Sequence, residues 1–276
     1  MQLPKITVVT PSFNQGDFLR ETIESVLNQN YPNLEYFIID GGSTDNSVEI
    51  IKQYEDKIDW WVSEKDKGQS DAIRKGFERA TGQLLAWLNS DDVYFPNALI
   101  KIGEAYMKNS NAAIFAGGLA VGEIKDGPIK KCSLPSKVPK FFYKYGMIGT
   151  GQQASFFNTD VYKKTKGIDI NLFIRMDMDI MYRMLKENPE ICVIKEMVGF
   201  FRWHEKTKST KSAEIFYKEW NNFYKEINVS TRKIKFTILL LKIYKIFNMI
   251  YFKSWLMTIF LKGKYMKDVW KEHTKK

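Results

Sequence analysis

The chain has 276 residues, 42 of them Lys or Arg and 32 Asp or Glu, for a formal net charge of +10. The excess is confined to the end: residues 231–276 hold 12 basic and two acidic residues, which leaves 30 of each sign in the preceding part. A neutral body with a basic tail argues against a nucleic-acid binder, whose basic patch lies on the folded domain among its readout residues. Hydrophobic (44%) and charged (27%) contents near the globular average exclude a disordered chain.

Roughly the first 230 residues suffice for one large α/β domain or two small ones, with a well-buried core. Cys132 and Cys192 sit in no CxxC pattern and have no histidine nearby, so two reduced structural thiols are expected. Met1–Pro4 leads straight into an apolar run, without the basic segment and long apolar stretch of a signal peptide. The body is therefore expected to stay in the cytoplasm.

Ile6–Thr10 reads as a β-branched strand ended by Pro11. Phe18, Ile23, Val26 and Leu27 then recur at helical spacing until Tyr31-Pro32-Asn33 breaks the pattern. Tyr36–Ile39 is a second strand. It is followed by the turn Gly41-Gly42-Ser43-Thr44, where Ser43 or Asp45 suits the cap of a helix carrying Val48, Ile50, Ile51 and Tyr54. Trp60–Val62 is a third strand. Gln69–Ala80 reads as a helix, with Gly82 placed as a C-terminal cap. Leu84–Leu88 opens onto Asn89-Ser90-Asp91-Asp92, Pro96 starts another helix, and Ala112–Phe115 is a strand. Beyond Gly117 the pattern loosens. A loop or hairpin is expected over 122–139, a strand over Gln152–Phe157 and a helix over Asp177–Lys186. Val193–Arg202 holds a strand or hairpin, and Ile215–Ile227 is helical.

Uniformly apolar strands alternating with amphipathic helices predict an α/β fold with a mainly parallel sheet covered on both faces. Ligands in such sheets sit beyond the carboxyl ends of the strands. Polar loops occupy four of those ends here: 11–14, 40–43, 64–68 and 89–92. The adjacent carboxylates of Asp91 and Asp92 repel one another and suit a hard divalent cation that also takes phosphate oxygens; an ordinary helix cap ahead of Pro96 is the other reading. Gly41-Gly42-Ser43 suits either a phosphate turn or a plain strand-to-helix turn, and Asp40 before it suits a ribose hydroxyl. Asp177 and Asp179 open a helix, where acids complement the dipole; one entering a site would serve as a general base. His204 stands in a polar stretch and suits a surface position. No GxxxxGK[ST], GxSxG or HExxH pattern occurs, and no GxGxxG follows the first strand.

Taken together the motifs resemble those of family 2 glycosyltransferases of the GT-A (Rossmann-like) fold, of the kind that builds bacterial cell-surface polysaccharide. Thr10-Pro-Ser-Phe-Asn14, the segment from Phe37 to Asp45, the segment from Ser63 to Gly76, Leu88-Asn-Ser-Asp-Asp92, Gln152-Gln153 and Met176-Asp-Met-Asp-Ile180 occur in family order, over about residues 5–210. The resemblance implies a donor half over about 1–116 and an acceptor half over about 117–230. It implies that Thr10, Pro11, Ser12, Phe13, Asp40, Gly42 and Ser43 surround the nucleotide. Asp66, Gly68 and Asp71 would line the donor pocket with Asn89 and Asp91, and Arg202 and His204 would reach the diphosphate. Asp92, or else Asp91, would hold Mg²⁺ or Mn²⁺. Gln152 and Gln153 would lie on the acceptor side, and Asp177 would be the base, with Asp179 as second choice. Asn89 stands where many members carry the first Asp of DxD, and Arg74 where Asn is common. The implied reaction is inverting transfer of a sugar from a nucleotide sugar, a UDP-sugar by preference, to a glycan or lipid-linked hydroxyl. A sugar-nucleotide nucleotidyltransferase would need a basic Gly-rich signature after the first strand, which is lacking. A catalytically inactive, membrane-bound carbohydrate-binding protein would have no use for Asp92 and Asp177.

Phe236–Leu261 is apolar but interrupted by Lys242, Lys245 and Lys253, so it is too short of uncharged residues to cross a bilayer. On one continuous helix Lys235, Lys242 and Lys253 share a stripe. The segment 231–276 is therefore expected to lie as a helix or helical hairpin on an anionic membrane, holding the body at the inner face of the cell membrane. Packing on the body or on a partner chain is the alternative. A chain ending at Ser230 is expected to become soluble.

Overall fold

The computed structural model describes residues 2–123, 127–204 and 213–274. The first part of the chain supplies β1 (Ile6–Ser12), α1 (Gly16–Leu27), β2 (Leu34–Asp40), α2 (Ser47–Lys52), β3 (Trp60–Ser63), α3 (Gln69–Arg79), β4 (Leu84–Trp87), β5 (Val93–Tyr94) and α4 (Ala98–Lys108). The second part adds β6 (Ile114–Glu123), β7 (Ile129–Ser133), β8 (Ser155–Asn158), α5 (Thr159–Lys163), α6 (Met176–Glu187), β9 (Ile191–Trp203) and α7 (Ala213–Glu226). The tail forms α8 (Thr231–Phe247), α9 (Ile250–Leu261) and α10 (Met266–Thr274).

All these strands join one sheet in the order β3-β2-β1-β4-β8-β6-β9-β5, with β7 beside the far half of β6. The expected parallel pairing holds for β3, β2, β1 and β4. Past β4 the sheet is mixed: β8 runs antiparallel to both neighbours, and β9 returns parallel to β6. Alternate residues of the central strands are buried on opposite faces, as a sheet covered on both sides requires. Val9, Phe37, Leu85 and Trp87 join one core cluster, and Ile6, Val8, Ile38 and Leu84 the other. β1 runs on through Pro11, two residues past its last pairing with β4 at Val9, so on that side the missing proline N–H is not needed.

Two local expectations fail for physical reasons. Gly82 is not a left-handed cap: a Cβ there would lie 2.7 Å from the Thr7 backbone N and 2.9 Å from the Lys5 carbonyl, so the glycine allows close approach to β1. Gln152–Ala154 is a 3-10 turn, and the strand begins only at Ser155.

Glu35 is a buried acid that fastens β2 to its surroundings. Its carboxylate accepts from Thr7 Oγ1 (2.6 Å), Thr81 N (2.8 Å) and Thr81 Oγ1 (2.6 Å). Burial pushes its pKa up, but those hydrogen bonds outweigh it and hold the group below the ordinary glutamate value. A depressed folded pKa contributes stability above the unfolded value, about 4.3, and loses it as pH falls through the folded one. Glu35→Gln is therefore expected to cost about 1–2 kcal/mol at neutral pH, with the gap to wild type closing below about pH 4. Urea unfolding at pH 7 and pH 3 measures this, and an equal gap at both values would contradict it.

The tail is not one stripe. Asn248 ends α8, and Met249 takes φ +53°, which reverses the chain into α9. Lys253 thus lies on a different helix from Lys235 and Lys242, and the single-helix stripe does not form. The inner sides of the helices belong to the body. Ile234 and Thr237 are buried, Leu240, Leu241 and Tyr244 pack on the main core, and Leu261 and Met266 enter a third cluster with Phe95 and Phe200. Thr258 Oγ1 accepts from Cys132 N (2.9 Å), and Ser254 Oγ accepts from Leu134 N (3.1 Å), so α9 covers the outer edge of β7. No helix among the described residues is long and apolar enough to cross a membrane. The two thiols are unpaired, and burial pushes Cys132 up to about 11.

Candidate active site

The carboxyl ends of the parallel strands open onto a cavity of about 560 Å³. β1 leads Pro11, Ser12 and Phe13 to its wall, and the turn after β2 brings Gly41. The loop after β3 brings Lys65, Asp66 and Gly68; Gly68 has φ +107°, a conformation suited to glycine. Asn89, Ser90 and Asp91 follow β4. The second part of the chain closes the other side with Gln152, Gln153, Phe201 and the segment from Phe173 to Asp177 that enters α6. Ser12 Oγ is buried on this wall and makes no hydrogen bond among the described residues, which offers a polar group to a ligand. Burial, reinforced by the Asp71 and Asp40 charges and opposed by the Gly68 N–H and Lys75, pushes the Asp66 carboxyl up.

Several expected residues stand behind the wall. Thr10 Oγ1 meets the Tyr36 hydroxyl at 3.0 Å, and both are buried. Asp40 is fully buried and accepts from Gly42 N, Ser43 N, Ser43 Oγ and Ser63 Oγ, so it staples the turn that holds Gly42 and Ser43. Asp71 accepts from Lys67 N (3.2 Å) and faces Lys75 at 3.7 Å. Gln152 is on the wall but donates to the Trp87 carbonyl at 2.6 Å.

Three further candidates are engaged away from the cavity. Asp92, expected to hold the metal, is fully buried: Oδ1 accepts from Arg202 N (3.0 Å) and Oδ2 from Asn89 Nδ2 (3.1 Å). Burial, then the adjacent Asp91 charge, pushes its pKa well above the ordinary range. Asp91 is the member of the pair on the cavity wall. Arg202 does not point into the cavity, because its buried guanidinium pairs with Glu21 on α1 and lies 3.4 Å from the Asp91 carbonyl. Asp179, the second choice for base, pairs with Arg183 on the next turn of α6, whereas Asp177 reaches the cavity. His204 comes to the site through Asp91: Nε2 lies 3.0 Å from Asp91 Oδ2, and the ring stacks on Phe18 with centroids 4.6 Å apart.

Comparison with known proteins accords with this geometry. The family model for glycosyl transferase family 2 matches residues 7–165, more than half the chain. The chain belongs to glycosyl transferase family 2. TuaG of Bacillus subtilis, named for teichuronic acid biosynthesis, is 40% identical over 118 residues, 41% of this chain and 46% of TuaG. The match thus spans less than half the length of that relative. An uncharacterized glycosyltransferase of Mycobacterium tuberculosis is 31% identical over 182 residues, 65% of this chain and 68% of the relative. Among solved structures, S. aureus TarS in complex with UDP-GlcNAc aligns with TM-score 0.63 and 15% identity, over 81% of this chain and 65% of TarS. The mannosyltransferase PcManGT of Pyrobaculum calidifontis, in complex with GDP-Man and Mn²⁺, aligns with TM-score 0.59 and 14% identity, over 82% and 68% of the two chains. At such identities the likeness shows the fold, a GT-A-type glycosyltransferase sheet with helices at the C-terminus.

The cavity of this family 2 chain also brings together residues that the sequence motifs do not single out. Gln69 Nε2 donates to Asn89 Oδ1 at 2.6 Å, tying α3 to the loop after β4. Lys65, Trp87, Phe173, Ile174 and Phe201 line the cavity too. Lys65 and Gln69 lay within the Ser63–Gly76 motif, so the signal for them was present; Phe173 and Phe201 belong to no motif.

Proposed function

We propose that the chain moves a sugar from a nucleoside-diphosphate sugar to an acceptor hydroxyl with inversion at the anomeric carbon. The observation that carries this reading is that Asp91 and Asp177, from opposite halves, line one cavity at the carboxyl ends of the parallel strands. Asp177 accepts the proton of the acceptor hydroxyl, whose oxygen bonds to the anomeric carbon as the bond to the diphosphate breaks. One displacement inverts the centre and needs no protein nucleophile. Ser12, Asp66 and Asn89 orient the donor, and Gln153 and Phe173 face the acceptor.

A divalent cation fits the donor set in part. Among the described residues no three His, Cys, Asp or Glu side chains converge, but the Asp91 carboxylate with His204 beside it suits Mg²⁺ or Mn²⁺ that takes its other ligands from phosphates and water. A cation there would offset charge on the departing diphosphate. Thermal-shift titration with nucleotide sugars and Mn²⁺ tests the reading, because a ligand raises Tm with its concentration over its Kd. A UDP-sugar is expected to raise Tm, with EDTA reversing the gain. A chain that no nucleotide sugar stabilises would overturn the reading.

The tail supports a second element of this function: the chain works at an anionic membrane. α8 exposes Phe236, Leu239, Ile243, Ile246 and Phe247, and α9 exposes Phe252, Trp255, Leu256, Ile259 and Phe260. Most of these recur at steps of three or four residues, with Ile238 and Tyr251 exposed beside them. Lysines accompany them in a tail that carries the whole net charge. Exposed apolar stripes with cationic flanks suit the headgroup region of an anionic bilayer and a lipid-linked acceptor.

A further inference from the structure

Asp177 is the second residue of α6, so its place depends on how the start of that helix is held. The first backbone N–H groups of a helix lack partners within it. Here the three residues that lead into the helix, the last of them its N-cap Arg175, are met by one side chain from a remote helix. Glu219 on α7 accepts from Phe173 N through Oε1 (2.7 Å), and from Ile174 N (3.0 Å) and Arg175 N (2.8 Å) through Oε2. A carboxylate receiving three N–H groups makes charge-assisted bonds of fixed direction. Phe173, Ile174 and Asp177 all line the cavity.

α7 is itself anchored to α6. The buried Arg175 guanidinium lies 3.7 Å from the Phe223 ring centroid and 5.1 Å from that of Trp220, and Phe223 meets Tyr182 edge-on at 5.0 Å. On the donor side Ser70 Oγ donates to the Leu172 carbonyl at 2.6 Å. The approach to α6 is thus held from both halves of the molecule, with Glu219 making the larger share of the bonds.

We infer that Glu219 is a positioning residue for transfer: its carboxylate fixes the 173–175 backbone and through it the place of the Asp177 carboxylate. The inference rests on Asp177 as the base. Glu219 touches no reacting atom. A base displaced by about 1 Å loses on the order of 100-fold in rate, whereas donor binding on the other wall is unaffected.

Full-length Glu219→Gln, which keeps the shape but loses the charge, tests this beside Asp177→Asn. Glu219→Gln is expected to lower kcat about 10- to 100-fold with the donor KM within about twofold of wild type. Hydrogen exchange is expected to quicken at 173–175 and not in β1 or β2. Added to Asp177→Asn, it should cause no further loss, since both act on one step. Glu219→Asp, with a shorter carboxylate, should fall between and serves if Glu219→Gln does not fold. Wild-type kcat in Glu219→Gln (or in Glu219→Asp, where that stands in) beside an inactive Asp177→Asn would overturn the positioning role alone. A parallel rise in donor KM, or exchange quickened throughout, would show a merely structural role and overturn it too. Near wild-type turnover in Asp177→Asn would instead remove the base assignment, whatever Glu219 does.

Discussion

Asp177→Asn is expected to lower sugar transfer by about 10²- to 10⁴-fold, the usual weight of a general base, while nucleotide-sugar binding measured by calorimetry stays near wild type. The reason is geometric. Asp177 sits on the wall that α6 brings, whereas the opposite wall, where we propose the nucleotide binds, is built by β1, β3 and β4 and the loops that follow them. Asn keeps the side chain's size and its bond to the Met178 amide but cannot take a proton. Asp179→Asn is the control. Its carboxylate is engaged by Arg183 and lies 4.0 Å from Arg175, so its loss is expected to lower Tm and leave kcat within a few-fold, a margin well short of a base's effect. The reverse pattern, with Asp179→Asn inactive and Asp177→Asn active, would exchange the two roles.

Replacing Phe247, Trp255 and Phe260 together by Ser is expected to weaken binding to anionic vesicles by about 100-fold. These side chains are 82%, 55% and 72% exposed, so they contribute little to the folded body. At about 1 kcal/mol each for partial insertion, three of them supply roughly 3 kcal/mol, or two powers of ten in affinity. Sedimentation with phosphatidylglycerol vesicles measures this. Tm should stay near that of wild type, and turnover on a water-soluble acceptor should be unchanged. Raised salt should weaken the remaining attachment, because the lysines act through a screened field. A triple variant that binds as well as wild type would leave the apolar stripes without this role.

The first half of the chain is legible because its signals are local. Buried parallel strands read as unbroken apolar runs, as in Leu84–Trp87, and the polar residues cluster where those runs stop. The second half is less so. β9 is a single strand of 13 residues, yet Lys195 and Glu196 interrupt its apolar pattern and allow a hairpin reading. The site failed to show itself where long-range partners decide. Of two adjacent carboxylates, Asp92 turns inward because it meets the amide of Arg202, 110 residues away. Arg202 turns from the cavity because Glu21 waits on α1. Glu219 looks like any acid on an amphipathic helix; only the fold brings it to three amides 44–46 residues earlier. The tail's basic stripe assumed one continuous helix, and a left-handed residue at Met249 divides it.

The hydroxyls that α9 lends to β7 have a consequence for any shortened form of this chain. Cys132 and Leu134 present their amides on the outside of the sheet, and Ser254 and Thr258 occupy them. Ending the chain at Ser230 strips that cover and uncovers the neighbours of Leu261 and Met266 as well. Two copies could then share the bared strands as one continuous ladder. The product would not be the well-behaved monomeric body that its balanced charge suggests, but a species whose self-association grows with protein concentration. The hairpin is thus a chaperoning cover on its inner side, whatever its outer side meets.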